Sequence, residues 1–139
     1  QIERVSLKLF ERGSKVADKA GLILADTKYE FALDKKGKLT LIDEIHTPDS
    51  SRFWLKSTYD ARHKLGEEVE NYDKEVMRIW FRKRGYSGHG KPPQMPDDLI
   101  VKVSQRYQEV YEKLTGLKFV IDLSTPPGER IIQSLSRLI

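Results

Sequence analysis

The sequence contains no cysteine, and it has only two methionines and two tryptophans. Without cysteine the chain can form neither disulfides nor thiolate metal sites. No apolar run approaches the roughly 18 residues that a membrane-spanning helix requires, so we expect no membrane partner. The first four residues, Gln-Ile-Glu-Arg, lack the basic-then-apolar pattern of a secretion signal. These absences favour a cytoplasmic protein. Because Gln1 stands where an initiator Met would, we also expect a processed chain or a piece of a longer one.

The charge balance is positive but small. The 25 Lys and Arg residues exceed the 21 Asp and Glu residues, which gives a formal net charge of +4 and a pI of about 9.2. An excess of this sign favours anionic ligands such as phosphates, or a nucleic acid. Charge alone does not choose between these two classes of partner.

Hydrophobic spacing and turn residues predict an α+β fold, in which an antiparallel β-hairpin packs against several helices. The 139 residues suit one domain over 1–139, or a large part of one. The hairpin is predicted from strands at 22–33 and 38–45 around a turn at 34–37. Residues 85–95 are rich in Gly and Pro and predict a loop, whereas 55–71 are too polar to assign. The predicted helices cover residues 2–20, 72–84, 96–114 and 129–138.

The first predicted strand carries three ionisable residues at alternate positions, Asp26, Lys28 and Glu30. Side chains alternate between the two faces of a strand, so these three share one face. With the four-residue turn, Lys28 lies opposite Asp43, and a two-residue slip pairs Glu30 with Asp43 instead. A turn of odd length would present Glu44 in its place. The opposite face, which we expect to be buried, holds Ile23, Ala25, Thr27, Tyr29, Phe31 and Leu33.

This charged face has two interpretations. In one, Glu30 and Asp43 hold a magnesium ion, which prefers oxygen ligands and often takes one or two carboxylates together with substrate phosphates. Lys28 would then meet a phosphate or a carboxylate, and Asp26 would hold Lys28 in place. In the other, the strand simply faces solvent and is laced with exposed salt bridges. Spacing alone leaves both open.

The loop after the hairpin gathers polar groups in four consecutive residues, Asp49, Ser50, Ser51 and Arg52. They offer one carboxylate, two hydroxyls and one guanidinium, and Arg is suited to bidentate capture of phosphate or carboxylate. The alternative is an ordinary Pro-Asp-Ser turn that ends in a surface Arg.

These segments carry a resemblance to a known family. Residues 21–31, Gly-Leu-Ile-Leu-Ala-Asp-Thr-Lys-Tyr-Glu-Phe, resemble the Asp-x-Lys-x-Glu-Phe signature of phosphoribosylaminoimidazole-succinocarboxamide (SAICAR) synthetases. Residues 41–44, Leu-Ile-Asp-Glu, and 47–54, Thr-Pro-Asp-Ser-Ser-Arg-Phe-Trp, are similar to the family's next stretch. The similarity extends from residue 2 to about 119 and also includes 86–90, 96–98 and 107–116.

The resemblance implies a reaction and a set of roles. The family uses ATP and magnesium to join L-aspartate to the carboxylate of carboxyaminoimidazole ribotide, and it releases SAICAR, ADP and phosphate. By position, Glu30 and Asp43 match residues of the ATP–magnesium site. Lys28 matches the strand lysine that faces phosphate or the reacting carboxylate. The resemblance implies that the matched loop contacts the ribotide or aspartate through Asp49, Ser50, Ser51 and Arg52. It also implies catalytic roles for Lys28, Asp49 and Arg52.

The sequence departs from the family in two ways. Ala32 stands where the signature usually ends in Gly, and the family's N-terminal region, with its phosphate-covering loop, has no counterpart here. We therefore expect the N-terminal half of the enzyme, or a companion chain, as a partner, and the assembly could be a homo-oligomer.

A different class of function stays open beside the ligase. A basic α+β module could bind nucleic acid or a protein partner through Arg82, Lys83 and Arg84 and the Gly-rich loop. A nucleic-acid face should not also carry a group of acidic residues. The acidic residues in question are Glu30, Asp43, Glu44 and Asp49.

Overall fold

The computed structural model describes residues 1–121 and 123–137. Within these residues the chain forms five helices and four strands, so the predicted α+β class is confirmed. The last predicted helix is present, although its final position, 138, lies outside the described residues. In chain order the elements are α1 (Ile2–Lys19), β1 (Leu22–Thr27), β2 (Glu30–Leu33), β3 (Leu39–Ile42), β4 (Ser51–Leu55), α2 (Lys56–Leu65), α3 (Glu75–Arg82), α4 (Asp97–Thr115) and α5 (Pro127–Leu135).

The predicted helices α1, α3 and α4 are present, and α4 has both of its ends set by local chemistry. Helix α4 begins directly after Pro96, carries Asp97 and Asp98 in its first turn, and ends at Gly116 with a φ of 70°. Carboxylates complement the positive end of a helix, and Gly adopts the left-handed conformation that ends one. Helix α2 was not predicted, because all its residues are at least partly exposed and it has no apolar stripe to detect.

The predicted hairpin is wrong in its extent. The strand expected over 22–33 is broken at residues 28–29, and its two halves join different two-stranded sheets. Strand β2 pairs with β3, which is the predicted hairpin in shorter form. Strand β1 pairs antiparallel with β4, a segment that was expected to be loop. The physical reason is that the β1–β4 pairing joins residues about 30 positions apart, which no local sequence pattern reveals.

The buried face of β1 was also predicted wrongly. Leu22 and Leu24 are buried, whereas Ile23 and Ala25 are partly exposed. A bulge in the ladder between Leu24 and Asp26 shifts the register and turns the end of the strand toward solvent. Leu33, expected on the buried face, is 69% exposed.

The hydrophobic core lies between α1, the β1–β4 sheet and α4. Its buried residues are Ala17, Leu22, Leu24, Phe53, Tyr72 and Val110. The core therefore packs against the face of the β1–β4 sheet that carries Leu22, Leu24 and Phe53. The polar ends of both strands, Asp26 and Arg52 among them, lie at the surface. Of the helices in the described part of the chain, none is long and apolar enough to cross a membrane.

Candidate functional site

A pocket of about 290 Å³ opens where β1 ends and β4 begins. We call it the β1–β4 pocket. It brings together Asp26, Lys28 and the whole tetrad Asp49 to Arg52, which the sequence had singled out in two separate segments. Its lining residues are Asp26, Thr27, Lys28, Glu44, Asp49, Ser50, Ser51, Arg52, Asp73, Lys74 and Arg78.

Arg52 and Asp26 form the ion pair at the strand end of the pocket. They stand directly opposite each other in the β1–β4 ladder, and Arg52 Nη1 lies 3.1 Å from Asp26 Oδ2. The exposed fractions of the two side chains are 48% for Arg52 and 55% for Asp26. Exposed ion pairs of this kind contribute little to stability, so the guanidinium is available to an anionic ligand. The prediction that Asp26 holds Lys28 is wrong, because Asp26 pairs with Arg52 across the sheet.

The two serine hydroxyls are held in defined positions. The Thr47 N–H donates to Ser50 Oγ, and the Ser50 N–H donates to Thr47 Oγ1, both at 3.1 Å. Ser51 is buried, and its Oγ lies 2.8 Å from Thr27 Oγ1 on the neighbouring strand. This reciprocal arrangement fixes the loop before β4, so its polar groups are pre-ordered along one wall of the pocket.

Asp49 faces a cation that sequence reasoning missed. Lys74 Nζ lies 3.1 Å from Asp49 Oδ1. Lys74 and Arg78 also line the pocket and bring positive charge to it, whereas Glu44 adds a carboxylate. Lys74 and Arg78 are 22 or more positions from Arg52 in the sequence, and no sequence motif connects them to residues 49–52. The pocket lining thus holds four cations and four carboxylates. An anionic ligand would bind by replacing a carboxylate partner of one of these cations, rather than through an excess of positive charge.

Asp73 is the buried anchor of the pocket, and it too was missed. Its carboxylate accepts the Phe53 N–H at 2.8 Å through Oδ2 and the Glu75 N–H at 2.7 Å through Oδ1. It therefore joins β4 to the start of α3 and fixes the segment that carries Lys74. Only 1% of the residue is exposed. Burial raises the pKa of Asp73, against the two N–H donors, which favour the ionised form.

Tyr107 of helix α4 lies near the carboxylates of the pocket without lining it. Burial raises the pKa of the Tyr107 hydroxyl, and the nearby carboxylates of Asp49 and Asp73 raise it further. The helical spacing of Tyr107 and Tyr111 in the sequence favours core positions for both residues. The structure leaves Tyr111 40% exposed and only partly buries Tyr107, so neither belongs to the fully buried core.

Lys28, Glu30 and Asp43 form a second cluster, which touches the pocket through Lys28. The ammonium nitrogen of Lys28 lies 2.5 Å from Glu30 Oε1 and 3.2 Å from Asp43 Oδ2. Hydrogen bonds to Glu30 first, and then to Asp43, raise the pKa of Lys28. A hydrogen bond from the Glu44 backbone, and then one from Lys28, lower the pKa of Asp43. The predicted trio is therefore assembled, with Glu30 and Asp43 beside the pocket rather than in its lining.

The route that brings Asp43 to Lys28 differs from the predicted one. The register Leu33 to Leu39 leaves a turn of odd length, residues 34–38, so both even-length registers are wrong. With a turn of odd length, Glu44 was expected to lie beside Lys28 in place of Asp43. Instead β3 ends at Ile42, and Asp43 takes a positive φ of 63°, a conformation that Asp tolerates better than most residues. This kink directs Asp43 to Lys28, while Glu44 lines the pocket.

The Glu30–Asp43 pair fits a magnesium ion in one respect. Both carboxylates already converge on one cationic atom, Lys28 Nζ, so their oxygens can share a cation. Among residues 1–121 and 123–137, no group of three or more His, Asp or Glu side chains is arranged to hold a metal. Two protein carboxylates, with phosphates and water in the remaining positions, match the way magnesium commonly binds with nucleotides.

The basic run of the alternative function is partly engaged elsewhere. Arg82 Nη2 lies 2.7 Å from Glu75 Oε1, and the guanidinium of Arg84 lies 3.9 Å from the centre of the Trp80 ring. Both contacts join these cations to side chains of α3. The Arg82 side chain is nonetheless 70% exposed, so it is as available to an anion as that of Arg52.

Comparisons with known proteins identify the family. Residues 1–94 match the family model described as SAICAR synthetase. The chain is 47% identical over 139 residues to a phosphoribosylaminoimidazole-succinocarboxamide synthase of Legionella pneumophila (strain Paris), which covers 95% of this chain and 43% of that protein. It is 43% identical to the chloroplastic synthase of Arabidopsis thaliana, with 96% of this chain and 33% of that protein covered.

Solved structures that resemble this chain belong to the same family. The SAICAR synthase of Saccharomyces cerevisiae, complexed with SAICAR, has a TM-score of 0.70 and 38% identity, over 85% of this chain and 38% of that one. A SAICAR synthetase in complex with ADP has a TM-score of 0.60 and 33% identity, and the match covers 86% of this chain and 39% of that one. The chain spans less than half the length of these relatives. From the family model, the identities and the fold, the chain belongs to the SAICAR synthetase family.

Proposed function

We propose that this chain forms the substrate-binding part of an ATP-dependent ligase, which joins L-aspartate to carboxyaminoimidazole ribotide and releases SAICAR, ADP and phosphate. The observation that carries the proposal is the β1–β4 pocket, because six residues chosen from two sequence motifs line one cavity. Family membership and the ligands named for the yeast and ADP-bound relatives support the same assignment. In this proposal residues 1–139 act with the remainder of the enzyme, whether in one chain or two.

Arg52 is the proposed anchor for a phosphate or carboxylate of the substrates. Its guanidinium can make two parallel hydrogen bonds to either group, and it needs only to exchange the exposed Asp26 carboxylate for the ligand. Ser50 and Ser51 supply hydroxyl groups on the same wall. Because the loop that carries them is already hydrogen-bonded, little ordering entropy is lost when an anion binds.

Asp49 is the proposed partner of the L-aspartate amine. Its carboxylate is exposed and lies 3.1 Å from Lys74, so it can accept a hydrogen bond from an ammonium group. In the reaction the amine nitrogen forms a bond to the acyl carbon, and the bond from that carbon to the phosphate oxygen breaks. The amine proton must then leave, and Asp49 is suited to accept it.

Lys28, Glu30 and Asp43 are the proposed nucleotide side of the site. The first half of the reaction forms a bond between a ribotide carboxylate oxygen and the γ-phosphorus of ATP, and ADP leaves. Magnesium, held by Glu30 and Asp43, would neutralise the charge of the phosphates when bound. Lys28 would then turn from the two carboxylates toward a phosphate, a movement that its exposed, flexible side chain permits.

Binding of SAICAR to the chain tests the pocket directly. Isothermal titration should detect binding, and Arg52→Ala should weaken it by roughly tenfold or more, since one charge-assisted bidentate contact is lost. Arg4→Ala is the matched control, because it removes the same charge from an exposed position in α1. Equal affinities of the two variants would refute the role of Arg52.

Turnover needs the whole enzyme, so a chimera provides the second test. This chain replaces the matching segment of the Legionella pneumophila relative, since 95% of the chain aligns with that protein. The expected result is ADP formation that depends on both L-aspartate and the ribotide. A folded chimera that hydrolyses ATP equally with or without L-aspartate would contradict the proposed reaction.

A further inference from the structure

A glycine inside α1 accommodates the ring of a histidine from a distant loop. Gly13 is buried, and a Cβ at this position would lie 2.7 Å from His46 Nε2 and 2.8 Å from Nδ1. Such distances are too short for any real side chain, so the ring occupies space that only Gly leaves. Gly in the middle of a helix destabilises it relative to Ala. The contact with His46 therefore explains why a glycine occupies position 13, which the requirements of the helix do not.

His46 is held in turn by Tyr29. Tyr29 Oη lies 2.7 Å from His46 Nε2, and the two rings meet edge to face with their centres 5.5 Å apart. His46 also has a positive φ of 56°, an uncommon conformation for a residue with a side chain. Burial lowers the pKa of His46 and raises that of Tyr29. Both groups are therefore neutral near pH 7, and the hydrogen bond survives in either tautomer of the ring.

The position of this bond in the fold gives it a possible task. The β1–β4 ladder ends at Thr27 and Ser51, and the β2–β3 ladder ends at Glu30 and Ile42. Between the two ladders lie residues 28–29 on one side and 43–50 on the other. Tyr29 stands between Lys28 and Glu30, while His46 stands between Asp43 and the serine loop. The bond thus spans the gap at the point where both clusters of the proposed site meet.

We propose that Gly13, His46 and Tyr29 form a positioning device, which sets the distance between the Lys28–Glu30–Asp43 cluster and the β1–β4 pocket. The proposal rests on the proposed function, because it assigns the two clusters to the nucleotide and to the other substrates. Transfer of a phosphoryl group depends mainly on how the reactants are placed. None of the three residues needs to touch a substrate, so they act through their neighbours.

The kinetic test uses the Legionella chimera with Tyr29→Phe, which removes one hydroxyl and keeps the ring. We expect kcat/KM to fall about tenfold, the loss of one well-placed hydrogen bond. Tyr59→Phe is the matched control, since Tyr59 stacks between Trp54 and His63 away from the site. His46→Gln keeps a hydrogen-bonding group and should retain more activity than His46→Leu. Equal kcat/KM for Tyr29→Phe and Tyr59→Phe would overturn the proposal.

A second test needs no activity and separates the two proposals. Amide hydrogen exchange of the 139-residue chain should become faster at residues 28–30 and 43–50 in Tyr29→Phe, and stay unchanged in α4. Gly13→Ala should produce the same local change, because the new methyl group displaces the ring. Unchanged exchange in both variants would overturn the positioning device. If exchange changes as expected while the unaltered chimera is inactive, the proposed function fails, and only the structural link between the two clusters stands.

Discussion

Replacement of Asp73 by Ala should destabilise the chain more than its position in a loop suggests. The carboxylate is buried and accepts the backbone N–H groups of Phe53 and Glu75 at 2.8 and 2.7 Å. Each hydrogen bond to a charged acceptor contributes about 1.5–3 kcal/mol, and water cannot replace it at a buried site. Relief of the buried charge offsets part of the loss, since burial raises the pKa of Asp73. We expect the free energy of unfolding to fall by about 3 kcal/mol.

Asp34 provides a matched control for this prediction. Its Oδ1 also accepts two backbone N–H groups, those of Lys36 at 2.9 Å and Lys38 at 2.8 Å, but it does so in an exposed turn. Water can satisfy both donors there, so Asp34→Ala should cost no more than about 1 kcal/mol. Urea denaturation, followed by the fluorescence of Trp54 and Trp80, measures both variants. If Asp73→Ala loses no more stability than Asp34→Ala, the buried anchor has been misjudged.

The raised pKa of Asp73 also fixes the sign of a pH effect. The folded chain holds the Asp73 proton more tightly than the unfolded chain does. The contribution of this group to stability is therefore greatest below the ordinary aspartate pKa, and it decreases as the pH rises through the raised value. Asp73→Asn removes the titration. Measured by urea midpoints, the stability of the unaltered chain relative to Asp73→Asn should fall over this range; a rise would contradict the assignment.

Further predictions concern the nucleotide side, the core and the positioning device. Glu30→Gln should abolish most nucleotide-dependent turnover of the chimera and leave its melting temperature unchanged, because Glu30 is exposed; unaltered turnover would count against the metal role. Leu22→Ala should cost about 2–5 kcal/mol in urea unfolding, whereas Leu117→Ala, at a site that is 60% exposed, should cost well under half of that. Since burial lowers the pKa of His46, the unfolded chain binds its proton first. Stability should then decrease as the pH falls below the ordinary histidine range, more in the unaltered chain than in His46→Gln.

Local signals predicted α1, α3, α4 and α5 but not α2, and they failed where distant segments meet. Helix α4 was predictable because an apolar stripe, two carboxylates at its start and Gly116 at its end all lie within one segment. The pairing of β1 with β4 was not, since it depends on residues that lie far apart in the chain. The break at residues 28–29 has the same cause, because the chain there passes from the β1–β4 ladder, which ends at Thr27, to the β2–β3 ladder, which begins at Glu30.

The candidate site was predictable as a set of residues but not as a geometry. Strand alternation and a turn of even length predicted that Lys28, Glu30 and Asp43 lie together, but the structure has a different register. The kink at Asp43 restored the contact by another route. Asp73 and Lys74 were not predictable as site residues, because an acidic residue followed by a basic one before a short helix is a common pattern. Their part in the pocket comes from the buried hydrogen bond to Phe53.

The most direct test of the central claim is a titration of SAICAR into the ¹⁵N-labelled chain, followed by amide chemical shifts. If the β1–β4 pocket binds the substrates, the largest changes should occur at Lys28, at residues 49–52 and at Lys74. Changes confined to residues 82–84 and the Gly-rich loop would contradict the account and favour the basic binding module instead.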